Sequence, residues 1–252
     1  FKEAIAMNKN NTSYLHQHED ILSFRDLAVG TVNTYVSYLS QFIDWTESFL
    51  GAKPLPDISW EEIRSYIRYL KDVRSLNPRT INVHIAQLRD FYQYVLHRDW
   101  DRYQVPYLHY DQLLPRVPDK QQINAVIDSL ENLKHKAEIA LLYSSGIRVS
   151  ELCRLHCGDI LVSKKCIYIS KSKNRSDRYA VLSDRAYQIL RAYILTGYPK
   201  ATKNDWLFPG QKAGNPICTM SVYNVFKKQL AALGIPASDY SLHSLRHYVE
   251  CF

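Results

Sequence analysis

Residues that break regular structure are scarce in this sequence: 8 Gly and 10 Pro among 252 positions, against 46% hydrophobic residues. That balance excludes collagen-like, low-complexity and disordered chains and leaves a globular protein able to bury real cores. No run approaches about 20 apolar residues, and the first thirty residues are polar and mixed in charge. Neither a membrane span nor a signal peptide is therefore expected, which predicts a cytoplasmic, nucleoid-associated protein. The five cysteines, at 153, 157, 166, 218 and 251, are odd in number and form no C-x-x-C pair, against a disulfide framework or a zinc ribbon. Cys153 and Cys157, one helical turn apart beside His156, make at most half a metal site, and helix packing explains them as well. A Walker-type glycine loop, a dinucleotide fingerprint, an H-E-x-x-H motif and clustered aspartates for magnesium are all missing, so any chemistry is expected to need no metal or cofactor.

What is present begins with charge. The chain is long enough for two domains, and its net charge of +7 is unevenly spread. Residues 1–112 hold 12 basic and 14 acidic groups, while residues 113–252 hold 20 and 11. A field of that sign over the second half concentrates polyanions, of which nucleic acid is the commonest.

The first half reads as helices. Val32, Tyr35, Leu39, Phe42, Ile43 and Phe49 recur at three- and four-residue steps until Gly51 and Pro54 end the pattern. Ser59 caps a second helix with Ile63, Tyr66, Ile67 and Leu70 inward and a basic row, Arg64, Arg68 and Lys71, outward. A third starts near Asn77-Pro78, with Ile81, Ile85, Leu88, Tyr92 and Val95 inward and Arg79 and Arg89 toward solvent. With an earlier helix around 11–27, this predicts a four-helix bundle. Between 101 and 120 the periodicity fails and prolines stand at 106, 115 and 118, which marks a connector with the boundary near 112. Beyond it, helices are predicted from Asp119, over 135–145, over 184–195 and over 220–233, around a β-hairpin from Cys166 to Leu182 with a basic tip. The whole is mainly α with one small antiparallel sheet.

Three clusters in the basic half bear on chemistry. In Ser145-Gly146-Ile147-Arg148-Val149-Ser150-Glu151, a glycine ends one helix, Arg148 sits in the turn and Ser150 is expected to cap the next helix. Such an arginine offers two N–H groups to a phosphate, with Glu151 to orient it, or else simply closes a turn salt bridge. The hairpin tip carries Lys171, Lys173 and Arg175, either solvated or aimed into a groove. On a late helix starting near Ser241, His243, Arg246 and His247 share one face at i, i+3 and i+4. Two imidazoles flanking a guanidinium are poor core material and good phosphate ligands.

The order of these clusters resembles the tyrosine recombinase (phage integrase) family: Arg-x-x-Glu after a glycine turn, a lysine on a β-hairpin, then His-x-x-Arg-His, preceded by a helical domain with a basic row. The resemblance covers nearly the whole chain. It implies that residues 1–112 are a SAM-like core-binding domain and 113–252 most of a catalytic domain. It also implies that Arg148 and Arg246 clamp the scissile phosphate, Lys173 serves the leaving oxygen, His243 assists proton transfer and Glu151 accompanies them. Lys171 is the fallback lysine, because the family's lysine stands a few residues before an acidic-Arg pair, here Asp177-Arg178. In such enzymes a tyrosine attacks the phosphate and forms a 3′-phosphotyrosyl bond, with no metal or nucleotide consumed.

Implied partners are double-stranded DNA with inverted half-sites and further copies of the chain, as dimers and tetramers, in the recombination of mobile elements; no membrane is implied. Arg64, Arg68, Lys71, Arg79, Arg89, Lys227 and Lys228 are the expected backbone contacts, with Lys171, Arg175 and His247 beside the active site. The family continues past His-x-x-Arg-His to its nucleophilic tyrosine, whereas this sequence runs Tyr248-Val249-Glu250-Cys251-Phe252. The expectation is a C-terminally truncated recombinase without cleavage activity, or a catalytically dead remnant that occupies recombination sites.

Overall fold

The computed structural model describes residues 9–51, 53–111, 116–170 and 177–250, with side chains between 11 and 246. The chain divides into two compact units, Phe1–Gln112 and Leu113–Phe252.

In the first unit, α1 (Lys9–Phe24), α2 (Val29–Phe49), α3 (Trp60–Arg68) and α4 (Pro78–Tyr94) enclose one core. The α3 start is fixed by a capping box: Ser59 Oγ accepts from the Glu62 N–H, and the Glu62 carboxylate accepts from the Ser59 N–H. Asn77 and Pro78 do the same work for α4, the side chain accepting from the Arg79 N–H and the proline presetting the first turn. Leu39, Phe42, Ile43, Ile63, Tyr66, Leu70, Ile81 and Phe91 are buried. Phe49 departs from its expected inward position. It is 63% exposed and stacks on Trp45, which together with Thr46 takes the buried place. Arg64, Arg68 and Lys71 stay at the surface, although α3 widens into a π turn over Tyr69–Val73.

In the second unit the hub is α6 (Leu133–Ser145). It packs against α5 (Lys120–Ser129), α7 (Val149–Leu152), α8 (Asp184–Gly197), α9 (Thr219–Ala232) and α10 (Leu242–Glu250). Asn132 caps its start, accepting from the Lys134 and His135 N–H groups, so α6 begins two residues before the sequence pattern suggested. Gly146 closes it at φ 62, a left-handed conformation that glycine adopts without strain.

Beside the helices lies a three-stranded antiparallel sheet in the order β1 (Ile160–Leu161), β2 (Cys166–Ile169), β3 (Arg178–Val181). Ile169 pairs with Arg178 and Tyr168 with Tyr179, so Ile167 and Ile169 turn into the core. Strand β1 has only two residues, too few to show a period in the sequence. Cys153 and Cys157 do not share a helix: α7 stops at Leu152, and Cys157 opens a separate 3-10 turn. Among the described residues no group of three or more His, Cys, Asp and Glu could hold a metal, and no helix is long and apolar enough to cross a membrane.

Each unit buries titratable groups with at least one polar atom unbonded among the described residues. His18 and His84 are buried in the first unit, and burial holds both imidazoles down at about 4. Neither His18 nitrogen has a hydrogen-bond partner, and His84 has one, the Tyr66 hydroxyl, at 3.3 Å. Glu138 is fully buried in α6 with both oxygens unbonded, and burial raises its carboxyl to about 7, the Lys134 ammonium opposing the rise. The signs are opposite. Between about pH 6.5 and 4 the unfolded histidines bind more protons than the folded ones, so the first unit loses stability on acidification, up to about 3 kcal/mol per residue. Folded Glu138 retains a proton that the unfolded chain has released, so the second unit loses stability as pH rises from about 4.5 to 7. A pH series of thermal melts should show the two transitions moving in opposite directions. Glu138→Leu should flatten the second and raise it at pH 8.

Candidate phosphate-clamp site

Turn geometry puts Arg148, not Ser150, at the cap of α7. Arg148 has extended backbone, φ −72 and ψ 148, immediately after Gly146 and Ile147. Its N–H donates to Glu151 Oε2 at 2.8 Å and its Nη1 to Glu151 Oε1 at 2.9 Å. Opposite it, Arg178, the first residue of β3, grips the same carboxylate in a fork, Nη1 to Oε1 at 2.9 Å and Nη2 to Oε2 at 2.7 Å. Four hydrogen bonds saturate the acceptor sites of one carboxylate.

The Glu151 side chain is 2% exposed, while Arg148 and Arg178 remain 30% and 31% exposed. The anion lies inside and the cations face outward, leaving one positive charge in excess. Burial alone would push the Glu151 carboxyl up, but the bonds from Arg178 and from the Arg148 backbone and side chain hold it at about 2. The same carboxylate raises the Arg178 guanidinium. A small cavity of about 140 Å³ opens beside the knot, lined by Glu151, Arg154, Asp159, Tyr168 and Ser170 among others. Tyr168 is held there by its hydroxyl bond to Asp177 at 2.6 Å.

The late cluster sits on α10. Leu242 and Leu245 are buried, and the Ser241 N–H bonds Ser244 Oγ at 3.0 Å, which sets the first turn. His243 consequently faces outward and Arg246 is half-buried. Helix α7, capped by Arg148, helix α10, which carries Arg246, and strand β3, which carries Arg178, all pack on α6. Lys171, Lys173 and Arg175 fall outside the described residues, as does the side chain of His247.

The remaining candidates divide by how their charge is already engaged. Arg64 and Arg68 both bond Glu61, at 2.6 and 3.0 Å. Arg79 lies 5.9 Å over the Tyr110 ring, and Arg89 is 3.7 Å from Asp90. Lys71 and Lys228 are exposed. Lys227 has its ammonium on the carbonyls of Ala237 and Tyr240, so it ties α9 to the segment that leads into α10. Arg178 is a site residue that the sequence pattern does not mark, for there the Asp177-Arg178 pair serves only to place the lysine. What the sequence offers is an arginine at the start of a predicted strand, and only the fold brings it within reach of Glu151.

The model of the phage integrase family matches residues 116–250, more than half of the chain. The chain belongs to that family. The family's N-terminal SAM-like domain model matches residues 14–102. A protein of Sinorhizobium fredii with the provisional name integrase/recombinase y4qK is 34% identical over 86% of this chain and 68% of its own length. Tyrosine recombinase XerD of Caulobacter vibrioides is 30% identical over 85% of this chain and 75% of its own. In fold, the chain resembles a crystallised lambda integrase (75-356) dimer bound to a COC′ core site, with TM-score 0.72, 16% identity, and 94% of this chain and 86% of that one covered.

Removing the buried anion from this integrase-family knot leaves two guanidiniums side by side. Glu151→Gln is expected to cost about 3–5 kcal/mol of stability, read as a drop in the urea midpoint.

Proposed function

We propose that this chain is a site-specific DNA recombinase module that grips one backbone phosphate of a duplex with Arg148 and Arg246. The observation that carries the reading is the arginine knot: Arg148 is held by backbone and side chain to a buried Glu151, which a second arginine also locks. A guanidinium so fixed has lost the rotamer freedom that phosphate binding would otherwise cost it. The excess positive charge of the second half supplies the long-range attraction.

In this reading Arg148 and Arg246 neutralise the non-bridging oxygens. A tyrosine oxygen attacks phosphorus as the P–O5′ bond breaks, Lys173 gives its proton to the leaving 5′ oxygen, and His243 takes the proton from the nucleophile. Glu151 and Arg178 are positioning residues. Residues 1–112 serve as the core-binding domain and 113–252 as the catalytic domain, acting on inverted half-sites as dimers and tetramers. His-x-x-Arg-His is followed within these 252 residues by one tyrosine, Tyr248, on the same helix turn as Arg246. In this reading these 252 residues bind the site, and Tyr248, on the turn that carries Arg246, is not the nucleophile.

On a nicked suicide duplex, the 252-residue chain should give a salt-sensitive mobility shift and no covalent adduct. An adduct would overturn the second half of that statement. Arg148→Ala and Arg246→Ala should each weaken binding about 10–100-fold at fixed salt and lower the salt slope by about one. Unchanged affinity in both would remove the clamp.

A further inference from the structure

A second feature lies wholly within the first unit. Between α4 and the segment that follows it is a cavity of about 410 Å³, within the size range of small-molecule sites, about 300–1,000 Å³. Its floor is apolar, formed by buried Ile85 and Val105 with half-buried Trp100. Arg89, Arg102 and Tyr107 stand at its rim.

The walls are held by bonds that owe nothing to a ligand. The Asn82 amide bonds both backbone groups of Leu108, accepting from its N–H at 2.7 Å and donating to its carbonyl at 2.9 Å. Trp100 is wedged edge-on against Trp60 at 5.2 Å and Tyr92 at 5.5 Å. The cavity is therefore preorganised.

Its electrostatics are unbalanced. Asp90 lies 3.7 Å from Arg89 but is also bonded by Arg25 at 2.7 Å, so two guanidiniums share one carboxylate, and Asp101 accepts the Tyr103 N–H. Arg102 makes no hydrogen bond or ion pair among the described residues. Arg98 is different: it bonds the carbonyls of Pro56 and Ile58 and lies over Trp60 and Tyr92, so it serves the fold.

We propose that this cavity holds a single unstacked nucleotide, its phosphate on Arg89 and Arg102 and its base against Trp100 and Tyr107. Guanidiniums match phosphate, flat rings match a base, and the exposed Gln93 amide at the rim offers both a donor and an acceptor to a base edge. A peptide carboxylate would engage the arginines but leave Tyr107 and Gln93 idle. The nucleotide is either free or an unpaired position in a DNA strand, and only the second source rests on the recombinase reading.

Two arms separate the sources. In the first, the chain is titrated onto a duplex with one unpaired 2-aminopurine and onto its fully paired counterpart. In the second, AMP is titrated onto chain labelled with fluorotryptophan, the Trp100 resonance being assigned with Trp100→Phe. A strand source predicts about tenfold tighter binding to the unpaired duplex, with quenched 2-aminopurine. Arg102→Gln and Tyr107→Leu should each abolish that preference while melting normally and binding the paired duplex as before. A free-nucleotide source predicts a saturable AMP shift at Trp100, lost in Arg102→Gln, without strand preference. If neither signal occurs, if both survive the substitutions, or if a peptide carboxylate saturates the Trp100 shift where AMP does not, the proposal is overturned. Should the chain bind no duplex at all, the recombinase reading fails while the AMP arm still decides the cavity.

Discussion

A carboxylate taken out of water must be fully paired, and Glu151 meets that demand by drawing on two distant parts of the chain at once. Arg148 comes from the turn after α6 and Arg178 from the start of β3, so the same four hydrogen bonds close the α6–α7 turn and fix the sheet beside it. Because both arginines stay about one-third exposed, the pairing leaves their outward N–H groups for a ligand. Fold and site thus share one set of bonds.

Around that knot the second unit is organised on α6, whose neighbours bear the other candidate groups. The buried Glu138 in the same helix is the contrasting case. It has no hydrogen-bond partner among the described residues, and burial outweighs the Lys134 ammonium and keeps it protonated to about neutrality. Two glutamates in one unit are driven in opposite directions by the presence or absence of guanidinium partners.

Much of this was legible in the sequence because it depended on local periodicity and on residue order. The stripe Ile81, Ile85, Leu88, Tyr92 and Val95 is buried as its spacing predicts, and Gly146 ends α6 as a glycine should. What escaped depended on contacts that cross the sequence. Phe49 satisfied the helical period, but Trp45 and Thr46 filled the space it would have taken. Ser150 looked like a cap until Arg148 took the place with the help of Glu151. Lys227 carried a surface cation's signature, yet the carbonyls of Ala237 and Tyr240 fold back onto it. Arg178 joined the site through a strand register that no short window reveals.

The wide turn at Tyr69–Val73 is where α3 ends and the chain sets off toward α4. Its i→i+5 pattern lets the backbone spread without losing its bonds: the Arg74 N–H donates to the Tyr69 carbonyl at 3.0 Å and the Leu76 N–H to the Leu70 carbonyl at 3.0 Å. The link into Asn77 is thus stitched to the helix it leaves, and the corner between α3 and α4 is a hydrogen-bonded joint and not a loose strap.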